Sequence, residues 1–152
     1  MKKRLLSLLL LCTLVFALSG CGEKTLLNKK KPVSLSFWHV YGEQAGSPMD
    51  LLVQEFSRTV GQERGVQVKV TGMSSASQIG GYLKDAQSDG KGVQEMPDLF
   101  TCHIIDALEL GEDNLVPWNE QFTPDELSDF IPGFLSDGTA EDGRLLIFPV
   151  SK

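Results

Sequence analysis

The stretch Val33–Gln44, VSLSFWHVYGEQ, joins two kinds of sequence end to end. Val33, Leu35 and Phe37 alternate with Ser34 and Ser36, the period-two pattern of a strand laid on a core. Trp38, His39, Tyr41 and Glu43 then crowd together, bringing aromatic faces, an imidazole and a carboxylate to the point where the strand ends. Whether the chain is α/β depends on the element that comes after this strand.

That element has the signals of a helix. Ser47-Pro48-Met49-Asp50 offers an N-cap hydroxyl, a proline at the first helical position and a carboxylate in the first turn. Met49, Leu52, Val53, Phe56 and Val60 recur on one helical face, and Gly61 is a suitable stop. Val66, Val68 and Val70 make a second alternating strand. Ile79, Leu83 and Ala86 mark a second helix, entered through Ser74–Ser77. Asp89-Gly90-Lys91-Gly92 is a loop, and Pro97-Asp98 leads into a third strand at Leu99–Cys102. Strands alternating with helices predict βαβ units and a largely parallel sheet. Farther on, the spacing predicts a short helix over Asp106–Leu110 ended by Gly111. A further helix is capped by Thr123 with Glu126 at its third position, and a strand over Leu145–Val150 comes after the Asp142-Gly143 turn.

Upstream of Val33 the sequence is of another kind. Lys2, Lys3 and Arg4 precede an apolar run, Leu5–Leu18, interrupted only by Ser7 and Thr13. This is the layout of a secretory signal, and the run is short of the roughly 20 apolar residues a spanning helix needs. Leu18-Ser19-Gly20-Cys21 resembles the lipobox of bacterial lipoproteins. The resemblance implies that residues 1–20 are removed and that Cys21 becomes the lipidated first residue, anchoring the chain on the extracytoplasmic face of the membrane. Several acyl chains together make such a tether stable. Residues 21–32 then read as a flexible tether whose Lys29–Lys31 either rest on anionic headgroups or are merely solvated.

Processing leaves eleven basic against twenty acidic residues, a net charge of about −9, which argues against nucleic acid as a partner. Of the cysteines Cys12, Cys21 and Cys102, only Cys102 keeps a free thiol, so no intramolecular disulfide is expected, and Cys102 reads as a small buried hydrophobe.

Several stretches in this order are similar to the extracellular solute-binding proteins of ABC importers, particularly those carrying sugars and oligosaccharides. They are SLSFWHVYGE, MDLLVQEFSRTVGQERGVQVKV, MPDLF, NLVPWNEQF and DGRLLIFPVSK. Each is loose by itself, and together they span nearly all of residues 33–152. The resemblance implies an incomplete lobe of the type II periplasmic-binding-protein-like fold, the N-terminal part of a two-lobed protein that closes on solute. It also implies a monomer that delivers solute to permease subunits, with no cofactor and no catalysis of its own.

In an open parallel sheet, ligands sit beyond the carboxyl ends of the strands. Trp38, His39, Tyr41 and Glu43 lie at the end of the first strand, His103 and Asp106 at that of the third, and Ser151 and Lys152 at that of the last, so these eight are the candidate ligand-binding residues. Aromatic faces pack on pyranose rings, and carboxylate or imidazole bonds to hydroxyls. Plainer readings stand beside these. Trp38 is in phase with Ser34 and Ser36 and equally suits the second face of a sheet covered on both sides. His39 and His103 equally suit the bonding of loop backbone, and Glu43 a solvated loop acid. His39, His103 and Asp106 have the chemistry of a transition-metal set but not the spacing of a compact motif, and no metal site is assigned. No Walker A loop, GxGxxG or GxSxG occurs, so an enzyme is not expected. The alternatives to sugar capture are a lipoprotein that binds a metal or another small solute, and a scaffold lipoprotein that binds nothing.

Overall fold

A computed structural model describes residues 27–42, 46–88 and 90–150. Residues 1–26, on which the expected signal and Cys21 fall, and Glu43, Ser151 and Lys152 lie outside the described residues.

Three parallel strands form the sheet: β1 (Val33–His39) at the centre, β2 (Val66–Gly72) on one side and β3 (Leu99–Phe100) on the other. Val33 pairs with Val66 and His39 with Gly72, whereas β3 meets β1 only at Phe37–Leu99 and Trp38–Phe100. Between the strands run α1 (Pro48–Phe56), extended by a π-turn (Ser57–Gly61) and α2 (Gln62–Arg64), and then α3 (Ala76–Gln87). After β3 come α4 (Ile104–Glu109), two 3-10 turns, α5 (Pro124–Ser128) and α6 (Pro132–Asp137). The chain is thus α/β, a small parallel sheet flanked by helices.

Successive side chains of a strand point to opposite faces. Trp38 therefore faces α3, where it packs with Met73, Ile79, Leu83 and Leu110. His39 faces α1, in phase with Phe37, its ring 5.4 Å from that ring. Ile79 and Leu83 are fully buried, each contributing about 2 kcal/mol by leaving water. The short β3 is held by a side-chain clip: the Asp98 carboxylate accepts from the Ser36 backbone N–H at 2.7 Å and from its hydroxyl at 2.8 Å. The Asp98 N–H in turn donates to Ser36 Oγ at 3.0 Å.

These bonds, led by the Ser36 N–H, hold the Asp98 carboxyl below its ordinary value of 3.8. Its contribution to stability is present above pH 3.8 and is lost as pH falls through the lower folded value. We expect Asp98→Asn to cost about 1 kcal/mol at pH 7, since the clip is exposed, and to flatten the loss of stability below pH 4, read from denaturant midpoints across that range.

The local helix signals hold. Ser47 Oγ accepts the Asp50 N–H at 3.1 Å, and the Thr123–Glu126 capping box is formed in both directions. Other expectations fail. The helix does not stop at Gly61, which is right-handed; it passes through the π-turn and ends at Gly65, at φ 78°. A side chain on Gly65 would lie 2.5 Å from the backbone of Asn28, so this position takes glycine for close approach as well as for φ. The expected apolar face is only partly covered: Leu52 on α1 is 65% and Val60 on the π-turn 49% exposed, and an open groove runs between α1 and β2 past Val53, Val68 and Val70. Leu145–Val150 forms no strand of the sheet. Leu145 makes one antiparallel bridge to Thr139, its carbonyl accepts from Trp118 N–H at 2.7 Å, and Leu146 and Ile147 both donate to the Gly138 carbonyl. Phe148 of this segment packs among Trp118, Phe122 and Phe130 in a partly exposed aromatic cluster. Residues 28–32, within the stretch read as a tether, contain a turn in which Asn28 Oδ1 accepts the Lys30 N–H and the Asn28 carbonyl accepts the Lys31 N–H, both at 2.9 Å.

Candidate functional site

β1 ends in a bonded histidine. The Tyr41 N–H can only donate, and it lies 3.1 Å from His39 Nδ1, so Nδ1 is the acceptor. The ring proton then sits on Nε2, 3.1 Å from Asp50 Oδ1. Fully buried, His39 ties the end of β1 to the first turn of α1 and fixes the path of the chain at Tyr41. That path crosses the end of β2. A Cβ on Gly42 would stand 2.5 Å from the carbonyl carbon of Gly72, so both positions require glycine for the two backbones to touch.

Beside this crossing, at the carboxyl ends of β1 and β2, lies an open groove of about 360 Å³. Thr71, Ser74, Gln78, Gln94 and Tyr82 line it together with the glycine pair and Met73, and none of these is charged. Gln78 and Tyr82 are four residues apart on α3 and share one face of it. The amide of Gln78 is oriented: its Oε1 accepts from the Ser74 N–H at 3.1 Å and from the Ser74 hydroxyl at 3.0 Å. The two hydrogens on Nε2 are left to donate. Tyr82, 38% exposed, stands edge-on to Trp38 with ring centroids 6.3 Å apart, so the core sets the pitch of a ring at the rim. A larger groove of about 590 Å³ runs between α1 and β2, past Asp50, Gln54 and Arg58, on the flank of the sheet. We take the smaller groove as the candidate site because it lies beyond the strand ends, where open parallel sheets bind ligands.

The residues singled out from the sequence are placed differently. Trp38, 5% exposed, is in the core, where its ring supports Tyr82 rather than lining the groove. His39 lies on the opposite face with no exposed surface, and Tyr41 is half-buried beside it, rings 6.0 Å apart. His103 is exposed at the N-cap of α4, and its side chain makes no capping bond. Asp106 turns towards α3, where a Cβ on Gly80 would meet its Cγ at 2.5 Å. The strand ends therefore do not gather these side chains into one cleft. Among the described residues no three His, Cys, Asp or Glu side chains converge as a metal site, and both nitrogens of His39 are already bonded. Reading the sequence misses Thr71, Ser74, Gln78, Tyr82 and Gln94. The signal for them is the end of the second strand, Thr71-Gly72-Met73-Ser74, which in sequence reads only as the entry to a helix.

Cys102 packs half-buried against the Trp38 core. Burial first, and the Asp106 carboxylate second, push its thiol from 9.0 up to about 11. The reactive species is the thiolate, so we expect Cys102 in the folded chain to alkylate roughly a hundredfold more slowly at pH 8 than an ordinary thiol. Mass spectrometry that reads the Cys102 peptide itself, with and without denaturant, measures this directly.

No family model matches this chain, and neither a curated protein nor a solved structure matches it.

Proposed function

We propose that this chain is a substrate-binding lipoprotein of an ABC importer, anchored through Cys21 on the extracytoplasmic face of the membrane, that captures a sugar or oligosaccharide. Its described part is then the core of a periplasmic-binding-protein-like lobe, and the chain hands solute to permease subunits that carry out transport and ATP hydrolysis. The observation that carries this reading is the uncharged groove at the carboxyl ends of β1 and β2. Amide and hydroxyl groups there suit neutral hydroxyls, and the rim tyrosine offers apolar surface to the face of a pyranose. A charged solute would lose water without gaining a counter-charge among these lining residues.

The test is thermal denaturation of the full chain against neutral saccharides, amino acids and divalent metals. A ligand that binds only the native state, present at one hundred times its Kd, stabilises by about 2.7 kcal/mol. A rise in Tm with a neutral saccharide is the expected result. A rise with a metal alone, or with charged amino acids alone, would overturn the carbohydrate assignment.

A further inference from the structure

The turn through Lys29, Lys30 and Lys31 has a fixed place on the domain. Asn28 shapes it through the bonds to Lys30 and Lys31, and its carbonyl packs on Gly65. Val33 N–H then donates to the Gly65 carbonyl at 2.9 Å. The three lysines therefore sit at the amino-terminal edge of the sheet, where β1 and β2 both begin. Arg64, next to Gly65, belongs to the same pole. All four cations are exposed, and none makes an ion pair among the described residues. Glu63, next to Arg64, is an acid of the same pole.

Charge is divided along the chain. Residues 27–72 carry six basic against four acidic side chains, whereas residues 100–150 carry one against eleven. The groove opens at the other end of β1, whose seven residues span about 20 Å. Cys21 lies seven residues before Asn28 in sequence, so an anchor there delivers the basic pole to the bilayer first.

We propose that Lys29, Lys30, Lys31 and Arg64 form a seat for anionic phospholipid headgroups, which holds the amino-terminal pole of the sheet on the membrane and turns the groove outward. This rests on the reading of Cys21 as the lipid anchor. Each lysine at an anionic surface contributes about 1 kcal/mol, a factor of about five in occupancy. The acidic remainder of the chain is repelled by the same surface, so both parts of the charge distribution favour one orientation.

The test uses the chain purified from membranes and reconstituted on vesicles of phosphatidylcholine alone or mixed with phosphatidylglycerol. Acetylation is followed at each lysine by mass spectrometry. Lys29, Lys30 and Lys31 are expected to react about fivefold more slowly on the anionic vesicles, with the difference abolished by high salt and with Lys84 and Lys91 unchanged. Equal rates on the two vesicles, or equal slowing of Lys91, would overturn the seat while leaving the anchor standing. Release of the chain from both vesicles on washing would overturn the anchor and the seat together. Retention on the anionic vesicles alone would show that Cys21 carries no stable anchor, and would overturn the seat as the contact that orients an anchored chain.

Discussion

Replacing Trp38 with alanine is expected to cost about 3–5 kcal/mol, a large part of what a domain of this size has. The indole fills the space between β1, α3 and the end of α4, against Ile79, Leu83 and Leu110. Only five buried side chains make up that cluster, so there is little around the site that can collapse into the cavity. Trp38→Phe keeps an aromatic ring against Tyr82 and should lose roughly half as much. Denaturant midpoints of the full chain measure both. The experiment also separates the two roles the sequence leaves open for this residue. A core tryptophan gives a large fall in stability. A cleft tryptophan gives an unchanged midpoint and a loss of ligand affinity, and that outcome would show that the indole is not packed against α3.

Gln78→Leu is expected to weaken solute binding ten- to a hundredfold, about 1.4–2.7 kcal/mol, and to cost about 1 kcal/mol of stability through the lost bonds to Ser74. Its amide has a fixed donor direction, because Ser74 occupies its oxygen and leaves Nε2 to donate. A solute oxygen that accepted from Nε2 would face a methyl group in the variant and stay unpaired. Tyr82→Ala should lose as much affinity through lost ring contact, whereas Tyr82→Phe, which keeps the edge-on packing with Trp38, should lose only a few-fold. Gln54→Leu, in the groove along the flank of the sheet, serves as the control and should leave affinity unchanged. Calorimetric titration with the saccharide identified by thermal shift is the measurement. Wild-type affinity in both Gln78→Leu and Tyr82→Ala would remove the site from this groove. A loss in Gln54→Leu alone would move it to the flank.

Both predictions concern side chains whose roles the sequence does not disclose, and the reason is geometric. Period two in Val33–Phe37 is legible, and so is the order of strands and helices, because alternation is a property of neighbours along the chain. Carried two residues farther, the same alternation puts His39 in phase with Phe37 and Trp38 on the other face. That argues against one cleft receiving both, but only the partner across each face, Asp50 on α1 and Ile79 on α3, settles what each side chain does. Gly61 reads as the helix stop, yet the helix runs on to Gly65, whose backbone is the left-handed one and against which Asn28, thirty-seven positions earlier, packs. Leu145–Val150 is apolar enough for a strand, yet its backbone groups are claimed by Trp118 and Gly138, contacts no local pattern encodes.

By itself the sequence determined the α/β order of elements, the caps at Ser47 and Thr123, the first strand and the charge division between the two ends of the chain. These arise from hydrogen-bond geometry and periodicity within a few residues, or from composition. The tertiary structure alone decided which face of β1 each aromatic residue serves, where the groove opens and which uncharged side chains line it. Those are properties of close approach between segments far apart in the chain, Gly42 on Gly72, Tyr82 on Trp38 and Asp98 on Ser36. Such contacts depend on the whole packing and leave no mark in a local window of sequence.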